Sequence, residues 1–393
     1  MSARISEPVR CACIVGTRPE VIKMAPVIRR LRETDWASVI LIATGQQDAL
    51  LELALRDFSL KPDISIPHEM PNGHVAPLLS SVVAKLDTLF AETQPHCVIS
   101  QGDTTSVLAA SIAAFYRRIP FVHLEAGLRT NDLAAPFPEE FHRRAIAVGT
   151  ALHCAPTATA AAQLRRENIP ESRIIVSGNT VIDALLEIVA ENPPAPVGFP
   201  SVPRAILLTA HRRENFGDRL RNALTAIRAF IDVTPDTALF FPVHPNPAVC
   251  NVAYEILSNH PRIVLTEPLS YREIVGAMRR AWLVVTDSGG LQEEAPALGK
   301  PVFVLRDKTE RPEAIESGVV QLIGTARDKV FGTLMNLYED KSAYALMARP
   351  VFPYGDGHAA RKIVASLREY MGVTEPRAAD PKRSPASLIG AGS

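Results

Sequence analysis

Carboxylates follow two short apolar runs in this sequence, and their placement predicts acid/base chemistry. Asp103 follows the apolar run 97–100, and Glu125 ends the run 120–125. Burying a carboxylate at the end of a strand costs free energy unless a cation or hydrogen-bond donor pairs with it or it has a functional role. The two residues therefore form a candidate general acid/base pair. The alternative for Asp103 is a structural one, because Asp is also a frequent N-cap of helices.

A third acid/base candidate lies in the segment Pro138-Glu139-Glu140, which predicts the start of a helix. Glu139 would project into a cleft if this segment folds over the same sheet edge. Alternatively, both glutamates are only first-turn acids, which suit the helix dipole.

Basic side chains follow other predicted strands. Arg18 comes after Gly16 at the end of strand 11–15, and Lys23 lies about one turn into the next helix. A guanidinium can bind a diphosphate with two parallel hydrogen bonds. The alternative is a strand–helix turn whose charges are merely solvated.

His211 and Arg212 follow a predicted strand at 205–209, and His244 ends the strand 238–243. A lone histidine is often a satisfied structural residue. The arginines and the glutamate around His211 favour a binding site instead.

Residues 286–301 predict an anion site, because a buried strand leads through Ser288, Gly289 and Gly290 into a helix. Such a turn directs free backbone N–H groups and the helix dipole at one point. Glu293 and Glu294 are expected in the first helical turn. Two carboxylates beside a phosphate would repel it, so one is expected to face a ribose. The alternative is an ordinary strand–helix turn.

Strands and helices alternate on both sides of a proline-rich segment, which predicts an α/β protein with parallel sheets covered by helices on both faces. The loops of interest all fall at the carboxyl ends of strands, in both halves of the chain, so two Rossmann-like domains are expected to face a cleft. A mobile loop is expected at 61–77. The expected division is a first domain, a linker, a second domain, a terminal helix and a disordered tail, at 1–191, 192–204, 205–355, 356–372 and 373–393.

The bulk composition excludes several function classes. A chain of 393 residues exceeds one ordinary core. Lys plus Arg and Asp plus Glu both number 42, which argues against a nucleic-acid or membrane-surface partner. The five cysteines form no C-x-x-C pair, and no apolar run reaches membrane-spanning length, so a reducing cytoplasmic location is expected. No Walker motif, G-x-G-x-x-G pattern or D-x-D cluster is present, so neither a cofactor nor a metal is expected.

Nine segments occur in order over about residues 10–372 and together form a specific pattern. They resemble the UDP-N-acetylglucosamine 2-epimerases, above all the bacterial non-hydrolysing enzymes. The segments are 16–23, 101–105, 123–130, 138–140, 178–183, 211–217, 242–244, 286–296 and 309–313.

The resemblance implies a GT-B-like fold whose terminal helix crosses back to the first domain, usually in a homodimer. It implies interconversion of UDP-GlcNAc and UDP-ManNAc without a redox cofactor, through elimination of UDP and a 2-acetamidoglucal intermediate. The product would supply ManNAc units for surface polysaccharides. The alternatives are a hydrolysing epimerase that releases ManNAc and UDP, and a GT-B glycosyltransferase.

The resemblance also assigns roles residue by residue. Asp103, Glu125 and Glu139 are implied as acid/base groups, and Lys23 matches a functional lysine. His211, beside the diphosphate, is also implied as a catalytic residue. The implied UDP-binding groups are Arg18, His244, Ser288, Gly289, Gly290 and Glu294, with Glu294 on the ribose.

A second, activating UDP-GlcNAc site is implied around Gln46, Gln47 and Arg212. Gln47 stands where the family usually has histidine, which leaves open whether activation is retained. His142 similarly replaces the usual asparagine of the Pro-Glu-Glu segment.

Overall fold

Two parallel β-sheets with helices on both faces build the fold. The structure, a computed structural model, describes residues 7–45, 49–67, 74–309 and 311–373. The first sheet has seven strands in the order β3-β2-β1-β4-β5-β6-β7. Their bounds are β1 Val9–Val15, β2 Ala37–Ala43, β3 Ile64–Ser65, β4 Cys97–Gln101, β5 Phe121–Leu124, β6 Leu152–Ala155 and β7 Ile174–Val176.

The second sheet has six strands in the order β10-β9-β8-β11-β12-β13. Their bounds are β8 Arg204–Thr209, β9 Thr237–Pro242, β10 Ile263–Thr266, β11 Leu283–Thr286, β12 Val302–Val304 and β13 Val320–Leu322. The core strands are mostly apolar because helices cover both faces of a parallel sheet. In each sheet the order in which successive strands are added reverses at one point, between β1 and β4 and between β8 and β11. Open α/β sheets bind ligands at this reversal point, outside the carboxyl ends of the strands.

Eight helices accompany the first sheet, if the last helix of the chain is included. They are α1 Arg18–Arg32, α2 Ala49–Asp57, α3 Val75–Thr93, α4 Thr105–Tyr116, α5 Glu139–Gly149, α6 Ala158–Arg166, α7 Thr180–Ala190 and α15 Ala359–Tyr370. The second sheet is covered by α8 Asp218–Val233, α9 Pro247–Leu257, α10 Tyr271–Arg280, α11 Gly289–Ala297, α12 Pro312–Glu316, α13 Arg327–Glu339 and α14 Lys341–Met347. None of these described helices is long and apolar enough to cross a membrane.

The terminal helix returns to the first domain, as the resemblance implied. Helix α15 packs against α1 and α7. Asp183 accepts hydrogen bonds from the N–H groups of Ala359 and Ala360, at 3.1 and 2.8 Å. A carboxylate beside the free N–H groups of a helix start stabilises that start, so Asp183 fixes where α15 begins. Within the described chain, residues 191–203 form neither helix nor strand.

Some predicted elements differ from the observed ones. The expected loop at 61–77 contains the short strand β3 and the start of α3, and helices α9 and α12 were not predicted. Residues 68–73 lie outside the described part, as does the expected tail beyond Val373.

Helix α11 begins at Gly289, so the expectation of Glu293 and Glu294 in its first turn is wrong. Two glycines disfavour a helix interior and moved the predicted start to Leu291. In the structure both glycines belong to the helix, and the two glutamates follow one turn later.

Candidate active site

One cavity of about 490 Å³ lies between the carboxyl ends of the two sheets, in the size range of small-molecule sites. All twelve candidate residues within the described part of the chain line it. They are Arg18, Lys23, Asp103, Glu125, Glu139, His211, Arg212, His244, Ser288, Gly289, Gly290 and Glu294. Gln46 and Gln47 lie outside the described residues.

Asp103 follows β4 and is held by helix α5. The Nε of Arg143 donates to its carboxylate at 2.7 Å, and the ring of His142 contacts its backbone carbonyl at 2.8 Å. The alternative of Asp103 as an N-cap is wrong, because Thr104 caps α4 by accepting from Val107. The Asp103 carboxylate is thus oriented toward the cavity by partners from α5.

Glu125 is buried immediately after β5 and is surrounded by donors. Lys23 Nζ lies 2.7 Å from one carboxylate oxygen, and the Gln101 side chain donates to the other. Burial alone would raise the pKa of Glu125, but the Lys23 ammonium and the Arg311 guanidinium outweigh it and lower that pKa. Its φ of 61° is left-handed, which costs about 1 kcal/mol for a residue with a side chain. The hydrogen bonds hold an ionised carboxylate in this strained backbone.

Glu139 and Glu140 both lie in the first turn of α5, as predicted, but they have different surroundings. Glu140 is buried and accepts from the N–H groups of Thr130 and Asn131, at 3.0 and 3.1 Å. Glu139 lines the cavity, and within the described part of the chain no protein group hydrogen-bonds to its buried Oε2. Glu140 therefore braces the loop, and Glu139 presents a carboxylate oxygen to the cavity.

A fourth carboxylate, Glu20, belongs to the same wall. It accepts from the N–H of Gly16 at 2.5 Å and from the hydroxyl of Thr104 at 2.7 Å. Burial raises the pKa of Glu20 from 4.5 to about 7. Glu20 thereby ties the loop after β1 to the loop that carries Asp103.

The opposite wall is formed by the start of α11. Ser288, Gly289 and Gly290 line the cavity, as expected for an anion site. The N–H of Ser288 already donates to the Thr286 hydroxyl at 2.9 Å, so Ser288 offers its own hydroxyl instead. A Cβ on Gly289 would lie 2.6 Å from the guanidinium carbon of Arg311. Glycine is therefore required at 289 for Arg311 to pack against the helix start.

Glu294 and Glu293 diverge one turn further along α11. Glu294 lines the cavity and accepts from the Tyr271 hydroxyl at 2.6 Å. Burial raises the pKa of Glu294 to about 7. Glu293 lies behind it and pairs with Arg311 Nε at 2.7 Å. Of the two neighbours, only Glu294 is available to a ligand from the cavity side.

Asp287 holds the loop that carries His211 and Arg212. Its buried carboxylate accepts from their backbone N–H groups, at 3.0 and 2.9 Å. The Asn215 side chain also donates to it, at 3.1 Å. The His244 ring stacks on the His211 ring with centroids 6.0 Å apart, and burial lowers the pKa of His244. Asp287 thus fixes the loop of His211 at the cavity edge, and His244 stacks on His211 there.

Arg18 spans the cleft. Its Nη1 donates to the backbone carbonyl of Leu269 on the second domain, at 2.8 Å. A basic group from the first domain consequently lies beside the wall formed by α11, where it can act on an anion held there.

Sequence reasoning gave no role to several residues that build this site. Glu20, Asn179, Asp287, Glu293 and Arg311 all lie inside the segments that carried the family resemblance, and Arg143 lies three residues after the segment 138–140. For the charged residues among them, the available signal was a charge within or next to those segments. Within the described chain, no group of three or more His, Cys, Asp or Glu could hold a metal ion.

Comparisons with known proteins agree with this geometry. The family model described as UDP-N-acetylglucosamine 2-epimerase matches residues 29–368. A UDP-N-acetylglucosamine 2-epimerase of Salmonella typhimurium is 40% identical over 370 residues, covering 91% of this chain and 98% of that protein.

Solved structures give the same result. The UDP-GlcNAc 2-epimerase from Neisseria meningitidis bound to UDP-GlcNAc has a TM-score of 0.88 and 38% identity, covering 92% of this chain and 100% of that chain. The UDP-GlcNAc 2-epimerase of Methanocaldococcus jannaschii in complex with UDP-GlcNAc and UDP has a TM-score of 0.79 and 31% identity, covering 92% and 100%.

Proposed function

This chain belongs to the UDP-N-acetylglucosamine 2-epimerase family, and we propose on that premise that it interconverts UDP-GlcNAc and UDP-ManNAc without releasing the sugar. The observation that carries the proposal is the pairing of two unlike walls around one cavity. One wall presents carboxylates, and the other presents a helix start formed by small residues.

The reaction requires removal of a proton from one face of C2 and delivery of a proton to the opposite face. A base removes the C2 proton, the C–H electron pair forms a C1–C2 double bond, and UDP leaves C1 with the glycosidic electron pair. A proton delivered to the other face of C2 and re-addition of the UDP oxygen to C1 give the epimer. Asp103, Glu125 and Glu139 are our acid/base candidates, because all three line the cavity from the first domain.

Departure of UDP develops negative charge on the diphosphate. The Ser288 hydroxyl, the first-turn N–H groups of Gly289 and Gly290, and the Arg18 guanidinium can stabilise that charge. Prearranged donors of this kind need no reorganisation at the moment of bond breaking. Lys23 keeps the neighbouring Glu125 ionised.

UDP itself would lie along the second domain. The Glu294 carboxylate suits the ribose hydroxyls, and the stacked rings of His211 and His244 border the same side of the cavity. Arg212 lines the cavity beside His211 and is our one described candidate for a second UDP-GlcNAc site.

Time-resolved NMR in deuterated water tests the reaction. We expect deuterium at C2 of an intact UDP-sugar pool containing both epimers. Accumulation of free ManNAc and UDP would instead identify a hydrolysing enzyme. Turnover that requires an added acceptor would identify a glycosyltransferase, and binding without turnover would identify a nucleotide-sugar sensor.

We further propose a homodimer that works in the cytoplasm and feeds surface polysaccharide synthesis. Apolar side chains on the outer faces of α4 and α5 support the dimer, since they are exposed in the single chain: Phe115, Tyr116, Phe141 and Val148. Sedimentation of the wild type and of a Phe115→Ser, Val148→Ser variant tests it. A monomer in both cases would contradict this proposal without affecting the reaction.

A further inference from the structure

A buried polar cluster joins the two walls beneath the cavity. Lys23 and Glu125 come from the first domain, and Glu293 and Arg311 come from the second. Lys23 also lies 3.9 Å from Glu293. All of these side chains are at least nine-tenths buried. Two cations and two carboxylates thus balance one another in a largely buried cluster, where the loss of one partner is strongly destabilising.

Asn179 is the residue that connects the two carboxylates. Its Nδ2 donates to Glu293 at 3.0 Å and to Glu125 at 3.3 Å. Its Oδ1 accepts from the N–H of Val181 and so caps helix α7, at 3.1 Å. A side-chain amide has two N–H donors, and both are used here.

The backbone of Asn179 is fixed as well. Its N–H donates to the carbonyl of Tyr354 at 2.6 Å, on the segment that leads to α15. The amide of Asn179 therefore has little freedom to follow one carboxylate and leave the other. A shift of Glu293 must change the position of Glu125, or break a bond to Asn179.

The position of Glu293 depends on that of helix α11. It stands on the helix whose start presents Ser288–Gly290 to the cavity and whose next turn carries Glu294. Arg311 binds Glu293 and packs against Gly289, so the helix start and Glu293 are held by the same guanidinium.

We propose that Asn179 and Glu293 are positioning residues that align Glu125 and Lys23 with the UDP-holding helix. This inference rests on the proposed function. Beyond the proposed function, we infer that the acid/base wall is correctly arranged only when α11 packs against that wall. Neither residue lines the cavity, so both act through others.

Substitutions of Asn179 distinguish its hydrogen bonds to Glu125 and Glu293 from its role as the N-cap of α7. Asp and Ser are both good N-caps, so Asn179→Asp and Asn179→Ser keep the cap of α7. Both remove the amide donors, and Asp adds a third carboxylate to the cluster. If capping were the only role, both variants would retain wild-type turnover.

We expect kcat for epimerisation and C2 deuterium exchange to fall about 100-fold in Asn179→Ser and further in Asn179→Asp, because small misplacements of a reacting group cost that much. The dissociation constant for UDP should change less than about 3-fold, since neither residue is placed on the nucleotide. Glu293→Gln should show the same split between kcat and UDP affinity. Thermal melts verify that each variant is folded.

Glu191→Gln is the matched control, because Glu191 pairs with Arg272 across the same domain seam but at the exposed surface. Its turnover should stay at the wild-type level. Wild-type kcat in Asn179→Ser, or an equal loss in Glu191→Gln, would overturn the inference. A wild-type protein that binds UDP and shows no C2 exchange would instead overturn the proposed function.

Discussion

Asp103 and Asp287 occupy corresponding places in the two sheets but have different surroundings. Each follows the strand just across the point where the strand order reverses, β4 in one sheet and β11 in the other. The Asp103 side chain is 25% exposed and lines the cavity, whereas that of Asp287 is 0% exposed and accepts from backbone N–H groups. Topology brings a carboxylate to the sheet edge, and the local partners decide whether it is available for chemistry.

The difference extends to the two walls as a whole. The first wall presents carboxylates fixed by cations, and the second presents a helix start and a histidine, His211, whose loop is fixed by a carboxylate. This division suits a reaction in which one side moves protons while the other holds the leaving group.

The largest effect that would test this comparison is the loss of catalysis in Asp103→Asn. We expect epimerisation to fall about 1,000-fold, within the range for removal of an acid/base group. UDP affinity, measured by calorimetry, should remain close to wild type. The exposed Asp87→Asn is the control, and normal turnover in Asp103→Asn would contradict the assignment.

Asp287→Asn should mainly lower the stability of the fold, whereas Asp103→Asn should mainly lower the rate of catalysis. The amide loses the charge that strengthens its hydrogen bonds to the loop of His211. We expect the free energy of unfolding to fall by about 3 kcal/mol, measured by chemical denaturation. An unchanged unfolding free energy together with lost turnover would make Asp287 a catalytic group and end the contrast with Asp103.

Glu20→Gln tests the buried acid of the first wall through pH. The folded-state pKa of Glu20, about 7, exceeds its ordinary 4.5, so folding favours the protonated form. Its stabilising contribution is therefore complete below about pH 4.5 and is lost as the pH rises through about 7.

Between about pH 5 and about pH 8 the wild type should lose about 2 kcal/mol of stability relative to Glu20→Gln. Denaturant titrations at both pH values measure this, with the exposed Glu52→Gln as control. Parallel curves for wild type and Glu20→Gln would show that Glu20 is ionised throughout.

Gly289→Ala is expected to give the smallest effect, on the second wall. Its Cβ would lie 2.6 Å from Arg311, so the guanidinium must move away from the helix start. We expect UDP to bind about 10-fold more weakly, the equivalent of one charge-assisted hydrogen bond. Gly332→Ala, on α13 with nothing near the added Cβ, should bind normally. Equal affinity in all three proteins would show that Arg311 does not shape the site.

The sequence alone determined the alternation of strands and helices, the meeting of polar segments at strand carboxyl ends, and the family resemblance. These follow from local patterns, because apolar runs form buried strands and parallel strands share one sheet edge. The same patterns predicted the helix start at Glu139, whereas the glycines expected in a turn before α11 are its first two residues.

Residue type and spacing, without the family resemblance, left open which member of each neighbouring pair faces the cavity, and the tertiary structure decided it. Glu139 rather than Glu140 and Glu294 rather than Glu293 line it, and Asp103 does so while Asp287 does not. Adjacent residues of one type look alike in sequence, since their direction depends on partners far along the chain. The bond between Asn179 and Glu293 spans 114 positions, and it exists only because the two domains pack together.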